Sequence, residues 1–184
     1  MSHPLLVAPI GRSLWRLAGP TTAFMVLQIF VVLTEIWLVG RLGSDALAAF
    51  ALVYPFVVVV MSVSSGGLGG AVAAAMARAL GGGRRGDAQA LVVHALVVAL
   101  AFAALCMLFA WTVAPSLYRL MGGDGDVLQQ ALAYSNVWFG GVALVWCVNF
   151  SSGLLRGGGN AGLPARIGVV GSVVYVPLSA ALGL

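Results

Sequence analysis

The 184-residue chain is 61% hydrophobic and 8% charged, against about 25% charged residues in an ordinary soluble domain. So little polar surface cannot cover a water-soluble globule, and the excess apolar surface must face lipid. The net charge of +4 is carried without a single lysine; its arginines are scattered between apolar runs, which argues for membrane topology and against a nucleic-acid-binding face.

A helix rises about 1.5 Å per residue, so a hydrocarbon core of about 30 Å takes roughly 20 apolar residues. Residues 1–12 are too short and too proline-interrupted for a signal peptide. The first span then runs over about 14–40, with Gly40 and Gly43 closing it. The second covers about 46–79, with Ser44 or Asp45 available as its cap. Its uncharged run of roughly 32 residues would reach roughly 48 Å, too short for two spans and a turn. One tilted or kinked helix is therefore expected, with Pro55 and the glycines of 66–70 as bend points. Gly66 and Gly70, continued by Ala71 and Ala75, form a small-residue face suited to close helix packing. Gly81–Gly83 separates this helix from the third, about 88–113, which Asp87 can cap. The fourth covers about 127–155, with Asp124 or Asp126 at its start and Gly157–Gly159 at its end, and Pro164 opens the fifth, about 164–184.

With the N-terminus inside, Arg12, Arg16, Arg78, Arg84, Arg85, Arg156 and Arg166 all fall on the inner side and only Arg41 and Arg119 on the outer. The positive-inside rule thus supports five spans, N-terminus in and C-terminus out. The expected fold class is all-α: a polytopic membrane helix bundle of five transmembrane helices.

Glu35 does not belong in lipid. It lies five positions before Gly40, roughly 7 Å inside the helix end. An acidic side chain at a helix centre costs about 2.5–3.5 kcal/mol, and less near the interface. Such a group persists when it faces a wet cavity or has a partner, which makes Glu35 a proton or cation site; the alternative is that it snorkels to the headgroups or pairs with Arg41. Gln28, two turns earlier on nearly the same face, either lines the same cavity or bonds between helices. Asn149, with Ser151 and Ser152, suits packing or capping as well as ligand contact. His94 reads as interfacial or hydrogen-bonded structure; Trp15, Trp37, Trp111, Trp138, Trp146 and Tyr118 read as interfacial belts and packing, with Trp138 and Trp146 deep enough to line a cavity. Cys106 and Cys147 fall inside apolar runs as small hydrophobes, without metal or disulfide spacing. No catalytic constellation, metal cluster or cofactor motif emerges, so an enzyme is not expected.

The run Leu17-Ala18-Gly19-Pro20, then Gln28, then Glu35 followed by Gly40-Arg41-Leu42-Gly43 and Ala46-Leu47-Ala48-Ala49, resembles the first helix of the MATE (multidrug and toxic compound extrusion) family. The stretch 77–85 is similar to that family's loop after helix two, and 153–164 to its loop between helices four and five. The likeness covers roughly residues 13–184. It implies the N-terminal lobe of a two-lobed secondary transporter that exports amphipathic compounds, drugs or metabolites, against a proton or sodium gradient. Residue by residue it implies that Glu35 is the ion-coupling acid, Pro20 the bend of helix one and Gln28 a cavity residue. Where several branches of the family carry Asn and then Asp in helix five, this chain has Tyr175 and Ser179. That removes a carboxylate from the implied cation cluster and weakens sodium relative to a proton.

The expected setting is a bacterial inner membrane. With helix six and the second lobe absent, a second transporter half or a homo-oligomer is expected for function, because alternating access moves one half against another. Two further readings stay open: a relative of the flippases for lipid-linked oligosaccharide, and a non-transporting membrane fragment or subunit.

Overall fold

A computed structural model describes residues 10–181, excepting the side chains of 10–18, 20, 21, 24, 176 and 178–181. All the regular structure described is helical: α1 (Ile10–Arg41), α2 (Ser44–Ser62), a π-helical segment (Val63–Leu68), α3 (Gly69–Gly81), α4 (Arg85–Thr112), α5 (Ala114–Leu120), α6 (Gly125–Gly140), α7 (Val142–Gly157) and α8 (Gly162–Ala181). The chain divides into two compact units, one made of Met1–Leu38 with Gly162–Leu184 and the other of Val39–Ala161.

Among the described residues, two helices are long and apolar enough to cross a membrane: Ser44–Gly81, with 38 residues, and Arg85–Thr112, with 28. A third results if Gly125–Gly140 and Val142–Gly157, which meet at 43°, form one bent span. The second span is one helix, as its length requires, and its irregularity sits in the glycine cluster. There Gly69 N–H bonds the carbonyl of Ser64, five residues back, in the π pattern. The sequence contains no charge to mark the break in 127–155; Gly140-Gly141 makes it, with Gly141 N–H bonding Val137 and Trp138 carbonyls.

The 39–161 unit is packed through small residues in rows. On α4 the buried positions are Ala88, Ala95, Ala99, Ala103 and Ala110, one stripe at helical spacing. Against Ala95–Ala103 lie Val142, Trp146 and Phe150 of α7, the indole stacking on Phe102 at 5.1 Å. Ala49, Val53 and Val57 of α2 form a second cluster with Ala131 and Phe139 of α6 and with Ala110, Ala114 and Tyr118. Tyr118 is therefore core, not interfacial belt: it is fully buried and its hydroxyl lies 2.9 Å from that of buried Ser135. By contrast Trp37 and Trp111 are 60% exposed.

The closest helix approach lies one face away from the Gly66/Gly70 pair, where an added Cβ would meet nothing within 4 Å. A Cβ at Gly153 would lie 2.5 Å from the Gly69 carbonyl oxygen, and one at Gly157 would collide with the carbonyl of Ala73. The contacting rows are thus Gly69/Ala73 and Gly153/Gly157, each spaced by four residues. The π segment inserts residues into the turn and rotates the face that follows it, which sequence spacing alone does not show.

Helix ends differ from the expected caps. Gly43, at φ 121, starts α2, and the hydroxyl of Ser44 bonds Asp45 rather than the helix. Asp87 pairs with Arg84 at 3.3 Å, and Asp124, the N-cap of α6, makes no side-chain capping bond. α8 begins at Gly162, two residues before Pro164. Helix C-termini are closed instead by backbone: Arg84 N–H bonds Ala79 O beyond left-handed Gly83, and Asn160 N–H bonds Leu155 O beyond Gly159.

Candidate functional site

The polar side chains of α1 and α8 meet within one unit. The hydroxyl of Tyr175 donates to Oε1 of Glu35 at 2.6 Å. Further along the same helices the hydroxyl of Ser172 lies 3.2 Å from Gln28 Oε1 and 3.0 Å from the carbonyl of Gly168. Gln28 and Glu35 are seven residues apart on α1, two turns on one face, while Ser172 and Tyr175 are three apart on one face of α8. Both pairs therefore lie along one seam, with the chain running in the same direction in both helices.

The surroundings are apolar. On α1, Met25, Ile29, Phe30, Leu33 and Trp37 are exposed, as are Ile167, Val170, Val173 and Val174 on α8. These surfaces suit lipid or another apolar partner. Glu35 is partly exposed and Tyr175 45% exposed.

Of the residues expected at the site, the structure joins Glu35 with Tyr175 and gives Gln28 a partner in Ser172. Pro20 and Ser179 fall in α1 and α8, and their side chains lie outside the described residues. Asn149 belongs to the 39–161 unit, where its amide donates to the buried hydroxyl of Ser64 at 2.8 Å. That bond ties α7 to the π segment and gives Asn149 a packing contact. Ser172 was not anticipated; its signal is its place three residues before Tyr175, on the face that Tyr175 already defines. His94 bonds the carbonyl of Ala90 in its own helix at 2.7 Å. Among the described residues no three His, Cys, Asp or Glu side chains gather where a metal ion would sit.

The arrangement sets one carboxyl group between α1 and α8 with a phenol donor on it. A carboxylate only accepts hydrogen bonds, whereas a carboxylic acid also donates one and still accepts at its carbonyl oxygen.

The chain is 27% identical, over 177 residues, to an FAD transporter of Shewanella oneidensis, covering 96% of this chain and 39% of that protein. Among solved structures it is similar to an outward-facing multidrug resistance MATE family transporter of the MOP superfamily, with TM-score 0.85, 28% identity, and coverage of 95% of this chain and 38% of the other. It is also similar to a MOP superfamily transporter from Pyrococcus furiosus described by the reverse polarity of its binding pocket, with TM-score 0.83, 28% identity and the same coverage. This chain therefore spans about two-fifths of the length of these relatives. The MatE family profile matches residues 20–181. The chain belongs to the MatE family, whose members are transporters and not enzymes.

Proposed function

We propose that the protein forms part of a secondary active transporter in which Glu35 carries the coupling cation, a proton, and drives export of amphipathic drugs or metabolites. The observation that carries this reading is the 2.6 Å bond from Tyr175 to Glu35 between α1 and α8. A carboxylate inside an apolar helix is costly, by about 2.5–3.5 kcal/mol at the helix centre and less near its end, where Glu35 lies. Proton uptake removes that charge and adds an O–H donor to the carboxyl, while its carbonyl oxygen can still accept from Tyr175, so the hydrogen bonding available between α1 and α8 changes with the proton. A proton needs only this exchange. Sodium needs several oxygen ligands, and here the phenol hydrogen already occupies Oε1 of the one nearby carboxylate.

In this reading five helical units span a bacterial inner membrane: α1, the helix Ser44–Gly81, α4, the bent pair α6–α7, and α8. The arginine distribution favours an inner N-terminus. A second transporter half, or a second copy of this chain, supplies the surface against which this one moves.

The test is efflux of a fluorescent organic cation from vesicles driven by a pH gradient. Glu35→Gln is expected to lower gradient-driven efflux at least about 10-fold, the loss of roughly 1.4 kcal/mol of coupling; undiminished efflux would remove Glu35 from the mechanism. The likeness to an FAD transporter makes flavin dinucleotide the second substrate class to assay in the same vesicles.

A further inference from the structure

Where α3 turns into α4, a groove of about 450 Å³ is lined by Met76, Leu80, Arg85, Ala88, Gln89 and Val92. Its two ends differ in chemistry. Arg85 and Gln89 stand on the first turns of α4 and offer a cation and an amide donor. Met76 and Ala88 form a buried floor, and Leu80 and Val92, each more than 40% exposed, form apolar walls.

The charge at this end of the two helices is unbalanced. Arg78, Arg84 and Arg85 fall within a few residues of one another, and Asp87 is the sole acid between positions 78 and 92. That acid lies 3.3 Å from Arg84, so this segment holds no carboxylate for Arg78 or Arg85. The start of α4 adds the partial positive charge of a long helix N-terminus. α3 and α4 belong to the two helices long and apolar enough to cross a membrane, and their joining turn falls at a membrane–water interface.

We propose that this groove binds an anionic phospholipid, with its phosphate on Arg85 and Gln89 and an acyl chain along Leu80, Met76 and Val92. A free phosphate would use only the polar end. A lipid uses both, and basic pockets between membrane helices favour anionic headgroups over zwitterionic ones. The site is independent of Glu35 and of what the protein transports.

The experiment uses the purified full chain in lipid nanodiscs doped with spin-labelled phosphatidylglycerol or phosphatidylcholine, reading the motionally restricted fraction of each. The wild type is expected to retain phosphatidylglycerol preferentially. Arg85→Gln should cut that preference about 5-fold, and Gln89→Glu, at an exposed position, should abolish it. Arg156→Gln, at the end of α7, should leave it unchanged. Equal retention of the two lipids by the wild type would overturn the proposal. So would a preference that survives both Arg85→Gln and Gln89→Glu, or complete displacement by glycerol phosphate, which would mark a phosphate site and not a lipid site. Circular dichroism of each variant separates loss of binding from loss of fold.

Discussion

The 39–161 unit and the α1–α8 pair use polar side chains in opposite ways. In the first, the polar pairs between helices are sealed: Tyr118 and Ser135 are buried against each other, and buried Ser64 receives Asn149. Each lies among rows of alanine, glycine and aromatic residues, so each bond fixes how two helices dock. In the second, Glu35 and Tyr175 stay partly accessible, between helices whose apolar side chains point largely outward. The sealed pairs are neutral and serve packing; the accessible pair includes a carboxyl, which is why the proposed coupling is placed there.

The sharpest way to break this division is to disturb the close approach of α3 and α7. Gly153→Val places carbon against the Gly69 carbonyl and should destabilise the chain by about 3 kcal/mol, the upper range for overpacking, read from unfolding in sodium dodecyl sulfate. Gly70→Ala meets open space and should leave stability unchanged or raise it by up to about 1 kcal/mol. Equal losses in the two would return the contact face to Gly66/Gly70. Next, Asn149→Ala should cost about 1 kcal/mol, the usual range for an interhelical hydrogen bond in a membrane, with no effect on the pH dependence of efflux; a shifted pH profile would make Asn149 part of the coupling site. The smallest stability change is expected for Ser172→Ala, no more than about 0.6 kcal/mol, because its hydroxyl also serves Gly168 in its own helix. Its efflux should fall less than that of Glu35→Gln, and a larger fall would move the centre of the site to Gln28.

The fold was legible where the chain announces itself by contrast. Uncharged runs mark the helices, and glycine–arginine clusters mark their ends. The length of 46–77 excludes two spans, and the structure has one helix there. Glu35 stands out because it is the one acid within such a run. What was not legible depends on geometry that no residue type signals. The bend at Gly140-Gly141 lies in an unbroken apolar run, and glycine pairs there could equally have served packing. The close contact to α7 uses Gly69/Ala73 and not Gly66/Gly70. Asn149 meets Ser64 across 85 residues of chain, and Tyr118, amphipathic enough for an interface, is buried once Ser135 supplies its partner. Asp45, Asp87 and Asp124 stand where N-caps belong, yet Asp45 takes the Ser44 hydroxyl, Asp87 pairs with Arg84 and Asp124 makes no side-chain capping bond.

Glu35 is the sole glutamate in the chain, so the coupling claim can be read from a single atom. In lipid, a chain carrying carboxyl-¹³C glutamate gives one side-chain carboxyl resonance by magic-angle-spinning nuclear magnetic resonance. The account predicts that this resonance moves with pH, is displaced at fixed pH by Tyr175→Phe, and does not respond to sodium. A resonance that follows sodium at constant pH, or that ignores the loss of the Tyr175 hydroxyl at every pH, would contradict it.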